Sequence, residues 1–330
     1  MALTYAKAGV DIETENRAIA ALAKQLTYKR KGIGAPLTDV GHYAGLIDFG
    51  EYALALTTDG VGSKVLIANE MKKWNTIGID CIAMNVNDLL AMGIEPLAFV
   101  DYIAIQEPNN EIMRQIGEGL AYGARISRMT IVGGETATLP DIINGFDLAG
   151  TCLGMVKKDT VITGQRIEMG DAIVGIPSSG VHSNGYSLVR RIIKDAGYSY
   201  HDPFPYNEDT TIGDELLTPT RIYMEILDAV SDFDIHGLAH ITGSGLMKLH
   251  RTTKYGFDIK DPLEPQPIFR FLQEEGDVED LEMYKTFNMG MGFVVIIPEA
   301  KAKSAAKMLG GKVIGEIVDE GIRVKGLKIK

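Results

Sequence analysis

The strongest constraint on this chain is an apolar run that breaks into a glycine-rich polar turn. Tyr52-Ala53-Leu54-Ala55-Leu56 leads into Thr57-Thr58-Asp59-Gly60-Val61-Gly62-Ser63-Lys64. The run is short and apolar and reads as a buried strand. Two glycines at a strand end let backbone N–H groups turn towards an anion, because no Cβ blocks the approach. Asp59 would repel bare phosphate and makes sense there if a hard divalent cation sits between carboxylate and phosphate. The pattern is neither the P-loop GxxxxGK[ST] nor a complete GxGxxG. Taken alone, the stretch is equally an ordinary strand-end turn with exposed polar residues.

Composition narrows the classes. A chain of 330 residues has room for about two domains and a sizeable core. Hydrophobic content of 45% and charged content of 23% are those of a globular protein rather than a disordered one. The formal charge of −11 argues against nucleic acid or an anionic membrane as partner, yet a local cation cluster or magnesium can still receive a phosphorylated metabolite. Cys81 and Cys152 are too few for a disulfide framework and fit a reducing cytoplasm. No apolar run approaches a membrane span, and the N-terminus lacks a signal-peptide pattern.

Residues 1 to 50 read as an irregular lead-in. Tyr5-Ala6-Lys7-Ala8-Gly9-Val10-Asp11 precedes a helical stretch with Ile19, Leu22 and Leu26 at three- and four-residue spacing. Lys29-Arg30-Lys31 and then Gly32, Gly34, Gly41 and Gly45 follow, forming a solvated connection or a flap over a polyanion. Ile79 to Met92 reads as a helix with Ile79, Ile82, Ala83, Val86, Leu89 and Leu90 as its apolar stripe. Against that stripe, Asp80 and Asn87 lie about 20° apart, and Asn85 and Asp88 about 60° apart. Such a set is either a solvated face or a ligand-bound one. Leu97 to Ile105 is a second strand, and Asn109-Asn110 offers an N-cap for a helix carrying Ile112, Ile116 and Leu120. The third strand, Thr130-Ile131-Val132, ends in Gly133-Gly134-Glu135-Thr136 and repeats the first design. Acidic loops on one side of a sheet are how α/β proteins gather a metal–phosphate site.

The polar stretch Val156 to Asp171 divides the chain, and the second half restarts with Ala172 to Ile176. Its loop, Pro177-Ser178-Ser179-Gly180-Val181-His182-Ser183-Asn184-Gly185-Tyr186, opens a helix that Ser183 or Asn184 can cap, a ready anion site. His182 is either a packed or capping histidine or a functional one. Ile241-Thr242-Gly243-Ser244-Gly245 is another strand-to-glycine turn, and Phe293 to Ile297 a buried strand. Helix Glu299 to Leu309 and strands Val313 to Ile317 and Ile322 to Val324 close two α/β halves of similar size.

In this order and spacing the motifs are specific. YAKAGVD at 5, TTDGVGSK at 57, GIDCIAMNVNDLLAMGIEPLAFVDY at 78, IVGGETA at 131, SSGVHSNGYSLVR at 178, LLTPTRIY at 216, HITGSG at 240 and YKTFNMGMG at 284 cover most of the chain. Together they resemble the aminoimidazole ribonucleotide synthetase (phosphoribosylformylglycinamidine cyclo-ligase) family, of the superfamily shared with selenophosphate synthetase and thiamine-monophosphate kinase. Two stretches depart from it: Gly41-His42-Tyr43-Ala44-Gly45, where many members are richer in glycine and phenylalanine, and Ser244, usually a glycine.

The resemblance implies an α/β (α+β) two-domain fold. Residues 1–160 would bind ATP and Mg2+ and pair their sheet in a homodimer, and 161–330 would be an α+β domain contributing to the cleft. It further implies a cytoplasmic enzyme that closes the imidazole ring of formylglycinamidine ribonucleotide with hydrolysis of ATP, with neither nucleic acid nor membrane as partner. Carried over by motif, Asp59, Asp88 and Glu135, with Asp80 as a weaker fourth, would ligate magnesium. Gly60, Val61, Gly62, Ser63 and Lys64 would hold the nucleotide. Gly180, His182, Ser183, Asn184, Thr242, Gly243 and Asn288 would face the substrate, with His182 as proton donor or oxyanion stabiliser and Lys64 and Asp59 also in the catalytic set. Selenophosphate synthetase would usually carry a Cys or selenocysteine in the N-terminal glycine-rich region, and residues 1 to 80 contain no Cys. Thiamine-monophosphate kinase resembles only the Asp59 loop and the acidic helix. A nucleotide-binding regulator without catalysis is the reading from another class, and the presence of Asp59, Lys64, Asp88, Glu135 and His182 speaks against it.

Overall fold

The apolar run around Leu54 becomes the second strand of a five-stranded sheet. In the computed structural model, which describes residues 3–38 and 41–330, helix α1 (Ile12–Ala23) leads to β1 (Gly45–Phe49) and β2 (Tyr52–Gly60). Then come α2 (Lys64–Met71), α3 (Ile77–Leu90), β3 (Glu95–Ile105), α4 (Asn110–Ile126), β4 (Thr130–Thr138) and β5 (Phe146–Lys157). The strand order is β1-β2-β5-β3-β4. Only β3 and β4 run parallel; the other pairs are antiparallel. Two residues of the glycine-rich flap, Asp39 and Val40, lie outside the described residues.

The alternation along these strands sets two unlike faces. Ala53, Ala55 and Thr57 of β2, Phe99 and Ile103 of β3, and Leu148 and Cys152 of β5 are buried. The opposite face leaves Leu56, Val100 and Tyr102 39–46% exposed. Helices α3 and α4 cover the buried side and cross at glycines: a Cβ on Gly78 would meet the Ile116 carbonyl oxygen at 2.4 Å, and one on Gly119 the Asn75 oxygen at 2.3 Å. No other residue allows backbones that close. Asn109 caps α4 as expected, its side chain accepting from the N–H of Glu111 at 2.9 Å and of Ile112 at 3.1 Å.

Two expected strand ends are not ends. β2 runs through Gly60, which pairs with Ala149, and β4 runs through Gly133, Gly134 and Glu135 to Thr138. Neighbouring strands supply hydrogen bonds that outweigh the flexibility of glycine. The predicted stripe of α1 also departs from expectation, because Ile19, Leu22 and, past the helix end, Leu26 stay 51–65% exposed.

The second half begins with β6 (Ala172–Pro177), α5 (Tyr186–Asp195), β7 (Pro203–Phe204), β8 (Asn207–Thr211), α6 (Ile212–Leu216) and α7 (Glu225–Asp232). It continues through β9 (Gly237–His240), a 3-10 helix (Gly245–Arg251), β10 (Gly256–Ile259), α8 (Pro267–Gly276), α9 (Asp280–Thr286) and β11 (Met291–Ile297). It closes with α10 (Glu299–Met308), β12 (Lys312–Val318), β13 (Ile322–Val324) and β14 (Leu327–Lys328). Seven of these strands form a mixed sheet, ordered β14-β13-β10-β12-β6-β11-β9. All seven residues of β11 are buried, which explains its continuous apolar sequence between β6 and β9.

Candidate active site between the two halves

Helix α3 joins the halves through the polar residues that interrupt its stripe. Asp80 and Asn87, on one face as their spacing predicts, are fully buried against the segment after α6. Asp80 Oδ1 accepts from the Thr220 N–H and hydroxyl, each at 2.7 Å. Asn87 donates to the Arg221 carbonyl at 2.8 Å and accepts from the Tyr223 N–H at 3.1 Å. The face is therefore neither solvated nor open to a ligand, because backbone of the other half satisfies it.

Lys64 belongs to the same lock. Its ammonium is completely buried, 2.8 Å from Asp80 Oδ2, and donates to the carbonyls of Thr218 at 2.8 Å and His182 at 3.1 Å. Burial lowers its pKa, and the Asp80 charge opposes that shift. With its three donors engaged by protein, Lys64 does not reach a phosphate in this arrangement, and Asp80, occupied by Lys64 and Thr220, is not free for a metal. Both corrections have one cause: burying a charge requires a full set of partners.

A cleft of about 330 Å³ opens beside this lock, lined by Asp59, Asn184, Thr242 and Gly243 from three separate motifs, with Lys248 and Arg251 added. Tyr5, Glu15, Asn16 and Ile19 of the N-terminal segment form its outer wall. Tyr5 is held there by its N–H, which donates to Glu282 at 2.7 Å. Asp59 accepts from the Gly60 N–H at 2.8 Å, and burial together with the charge of Asp88 raises its pKa. Asp88 is oriented by His240, whose Nδ1 lies 2.9 Å from Oδ1. The Asn87 amide faces His240 Nε2 at 3.4 Å, which places the imidazole proton on Nδ1. The ring is fully buried and stacks on Phe293.

The 178–185 loop is held from below. Ser183 Oγ is 3.0 Å from Thr220 Oγ1, and Asn288 donates to the Gly180 carbonyl at 2.9 Å while accepting from the Gly290 N–H at 2.9 Å. Neither Ser183 nor Asn184 caps α5; its cap position is Gly185, without a side-chain bond. His182 sits at φ 65°, 1% exposed, and does not line the cleft. Its Nε2 accepts from the Ser179 N–H at 3.2 Å, while Nδ1 finds no partner among the described residues. Its pKa is lowered, first by burial and then by the charges of His240, Lys64 and Arg221. The imidazole is thus neutral, chiefly through burial.

With this geometry in place, the chain can be set beside known proteins. Residues 41–156 match the family described as AIR synthase related protein, N-terminal domain, and residues 168–326 match its C-terminal domain. The chain belongs to the AIR synthase related family. A Methanococcoides burtonii phosphoribosylformylglycinamidine cyclo-ligase is 70% identical over 99% of this chain and 98% of its own length. Among solved structures, tt0281 of Thermus thermophilus superposes with a TM-score of 0.68 at 21% identity, covering 95% of this chain and 97% of that one. AaThiL, solved with AMPPCP and TMP, gives 0.67 at 16% identity, covering 95% and 94%. At such identities these two share the fold.

Not every residue taken from the AIR synthase pattern converges. Of the 59–64 turn only Asp59 lines the cleft; Gly60, Val61, Gly62 and Ser63 do not. Across the first sheet, Asp59 pairs with Gly150, Gly150 with Asp101 and Asp101 with Gly134. Glu135 is therefore three strands away, roughly 14 Å, and points with Tyr102 to the opposite face. One magnesium, binding oxygen at about 2.1 Å, cannot take both Asp59 and Glu135 within one chain. Among the described residues no group of three His, Cys, Asp or Glu side chains is placed to hold a metal. Of the expected carboxylates, Asp59 and Asp88 remain as a pair of hard-oxygen donors near enough for the charge of Asp88 to act on Asp59. Sequence reading missed Tyr43, Lys248 and Arg251. Tyr43 is buried beneath the Arg251 guanidinium, 5.7 Å from its ring centre, and the charge of Asp88 adds to burial in raising its pKa. The only signal for it was that the flap departs from the family pattern at that point.

Proposed function

We propose that this chain closes the imidazole ring of formylglycinamidine ribonucleotide, using ATP and releasing ADP and phosphate. The observation that carries the reading is the convergence of Asp59, Asn184, Thr242 and Gly243 on one cleft between the halves. Relatives from 47% to 70% identical over nearly the whole chain bear the cyclo-ligase name. In the reaction the γ-phosphoryl moves to the formamide oxygen, a neighbouring nitrogen attacks that carbon, and phosphate leaves. The protein's part is positioning and charge neutralisation. Asp59 and Asp88 would hold Mg2+, which neutralises the polyphosphate, with His240 fixing the rotamer of Asp88. Asn184, Thr242 and Gly243 would orient the substrate. His182 keeps the role of proton donor or oxyanion stabiliser on the strength of its unpartnered Nδ1–H. Residues 1–160 would supply the metal and nucleotide side, and 161–330 the opposing wall.

The outer face of the first sheet supports a homodimer. Leu56, Val100, Tyr102 and Val132 expose an apolar surface next to the unpaired edge β4, a surface a second copy would cover. Among the described residues no helix is long and apolar enough to cross a membrane, and the buried free thiols Cys81 and Cys152 accord with a cytoplasmic setting. The test is ADP release that depends on formylglycinamidine ribonucleotide; ATP turnover indifferent to that substrate would remove the reading.

A further inference from the structure

The cleft holds two cations that no motif announced. Lys248 and Arg251 stand three residues apart in the 3-10 helix Gly245–Arg251, where side chains at i and i+3 eclipse and so share one face. Arg251 is exposed and lies over the Tyr43 ring, and Lys248 is half-buried. Among the described residues neither forms a hydrogen bond to a carboxylate or an ion pair. Asp59, Asp88 and Glu15 are near enough for their charge to act on Lys248 without closing on it, and burial with the Arg251 charge lowers its pKa. Two like charges held face to face, one of them half-desolvated, are unfavourable for the free protein. A bound anion would reverse that.

We propose that Lys248 and Arg251 bind a phosphoryl group of a ligand in this cleft, which Asp59 also lines. The proposal supplies the phosphate-binding cation that Lys64, closed in the domain lock, does not provide. It rests on the ring-closing reading for its candidate phosphates, which are the nucleotide polyphosphate and the 5′-phosphate of the ribonucleotide. A metal held by the carboxylates and the two cations would together neutralise such a group, leaving each charge a partner of opposite sign. Guanidinium and ammonium divide the work, a planar fork for two oxygens and a point charge for one.

The test uses the full-length protein with Lys248→Met, Arg251→Met and Lys248→Arg. KM is measured for ATP and for formylglycinamidine ribonucleotide, and calorimetry with magnesium and a non-hydrolysable ATP analogue gives nucleotide affinity without turnover. Lys248→Met should weaken one of these ligands by about ten- to a hundredfold, the effect of one charged hydrogen bond. Lys248→Arg should recover most of the loss, and the melting temperature should not fall. Nucleotide KM and calorimetric affinity moving together assigns the polyphosphate, and ribonucleotide KM moving alone assigns the 5′-phosphate. Constants for both ligands within twofold of the parent in folded Lys248→Met and Arg251→Met would overturn the proposal, as would a lowered melting temperature with unchanged constants. A parent protein that binds nucleotide but does not close the ring removes the proposed function, while calorimetry of the same variants with the nucleotide analogue and with the ribonucleotide still decides the role of Lys248.

Discussion

Two sets of charges built on the same elements have opposite fates. Lys64 and Asp80, from the start of α2 and the first turn of α3, are fully buried and matched by Thr218, Thr220 and the His182 carbonyl. Asp59, from the end of β2, lines a cleft with Lys248 and Arg251, and Asp88, from the far end of α3, acts on Asp59 through its charge; both are matched only in part. The first set locks the halves together; the second is left for a ligand. A lysine beside glycines therefore says little until its donors are counted, because the same ammonium can serve a phosphate or a domain interface. Completeness of partners separates the two.

The contrast is broken most directly at Lys64. Lys64→Met leaves Asp80 buried without its counter-charge and should cost about 3–5 kcal/mol in urea denaturation. The double variant Lys64→Met/Asp80→Asn should regain at least half of that. A loss below about 1 kcal/mol for the single variant would mean the lock carries little of the interface.

On the open side the order of effects reverses. Asp88→Asn and Asp59→Asn should each lower turnover by roughly 10²–10³ while remaining folded. Burial and the Asp88 charge hold the Asp59 carboxyl above its usual range, so folding favours its protonated form. That contribution is present below the unfolded carboxyl pKa and is lost as pH rises through the folded value. Asp59→Asn should therefore raise the melting temperature of the ligand-free protein at neutral pH and flatten its dependence on pH from acid to neutral. A melting temperature that drops on this substitution contradicts the view of the cleft as incompletely matched.

Asn87 sits between the sets, bonded to the backbone of the lock and touching His240 of the cleft. Asn87→Ala should cost about 1–3 kcal/mol by stranding the Tyr223 N–H and the Arg221 carbonyl. A stability loss with full turnover would assign Asn87 to the lock alone. The smallest effect is expected at Ser244, a left-handed residue with φ 77° and ψ 11° on the cleft wall. Ser244→Gly should stabilise by about 1 kcal/mol, read in thermal melting, because glycine meets no Cβ penalty there.

Local pattern was enough for much of this molecule. Apolar runs at 52–56, 97–105, 172–176 and 293–297 became strands, the Asn109 cap held, and the angular reading of α3 placed Asp80 and Asn87 on one face. These rest on forces between residues near in sequence, so periodicity and capping suffice. What lay against that face, how far β2 and β4 would run past their glycines, and which side of the sheet Glu135 would occupy depended on partners up to 154 residues away. Residue types alone named a set of polar groups able to bind metal and phosphate. Only the tertiary structure decided which were consumed in joining the halves and which remained for chemistry, because a buried charge is defined by every group that approaches it.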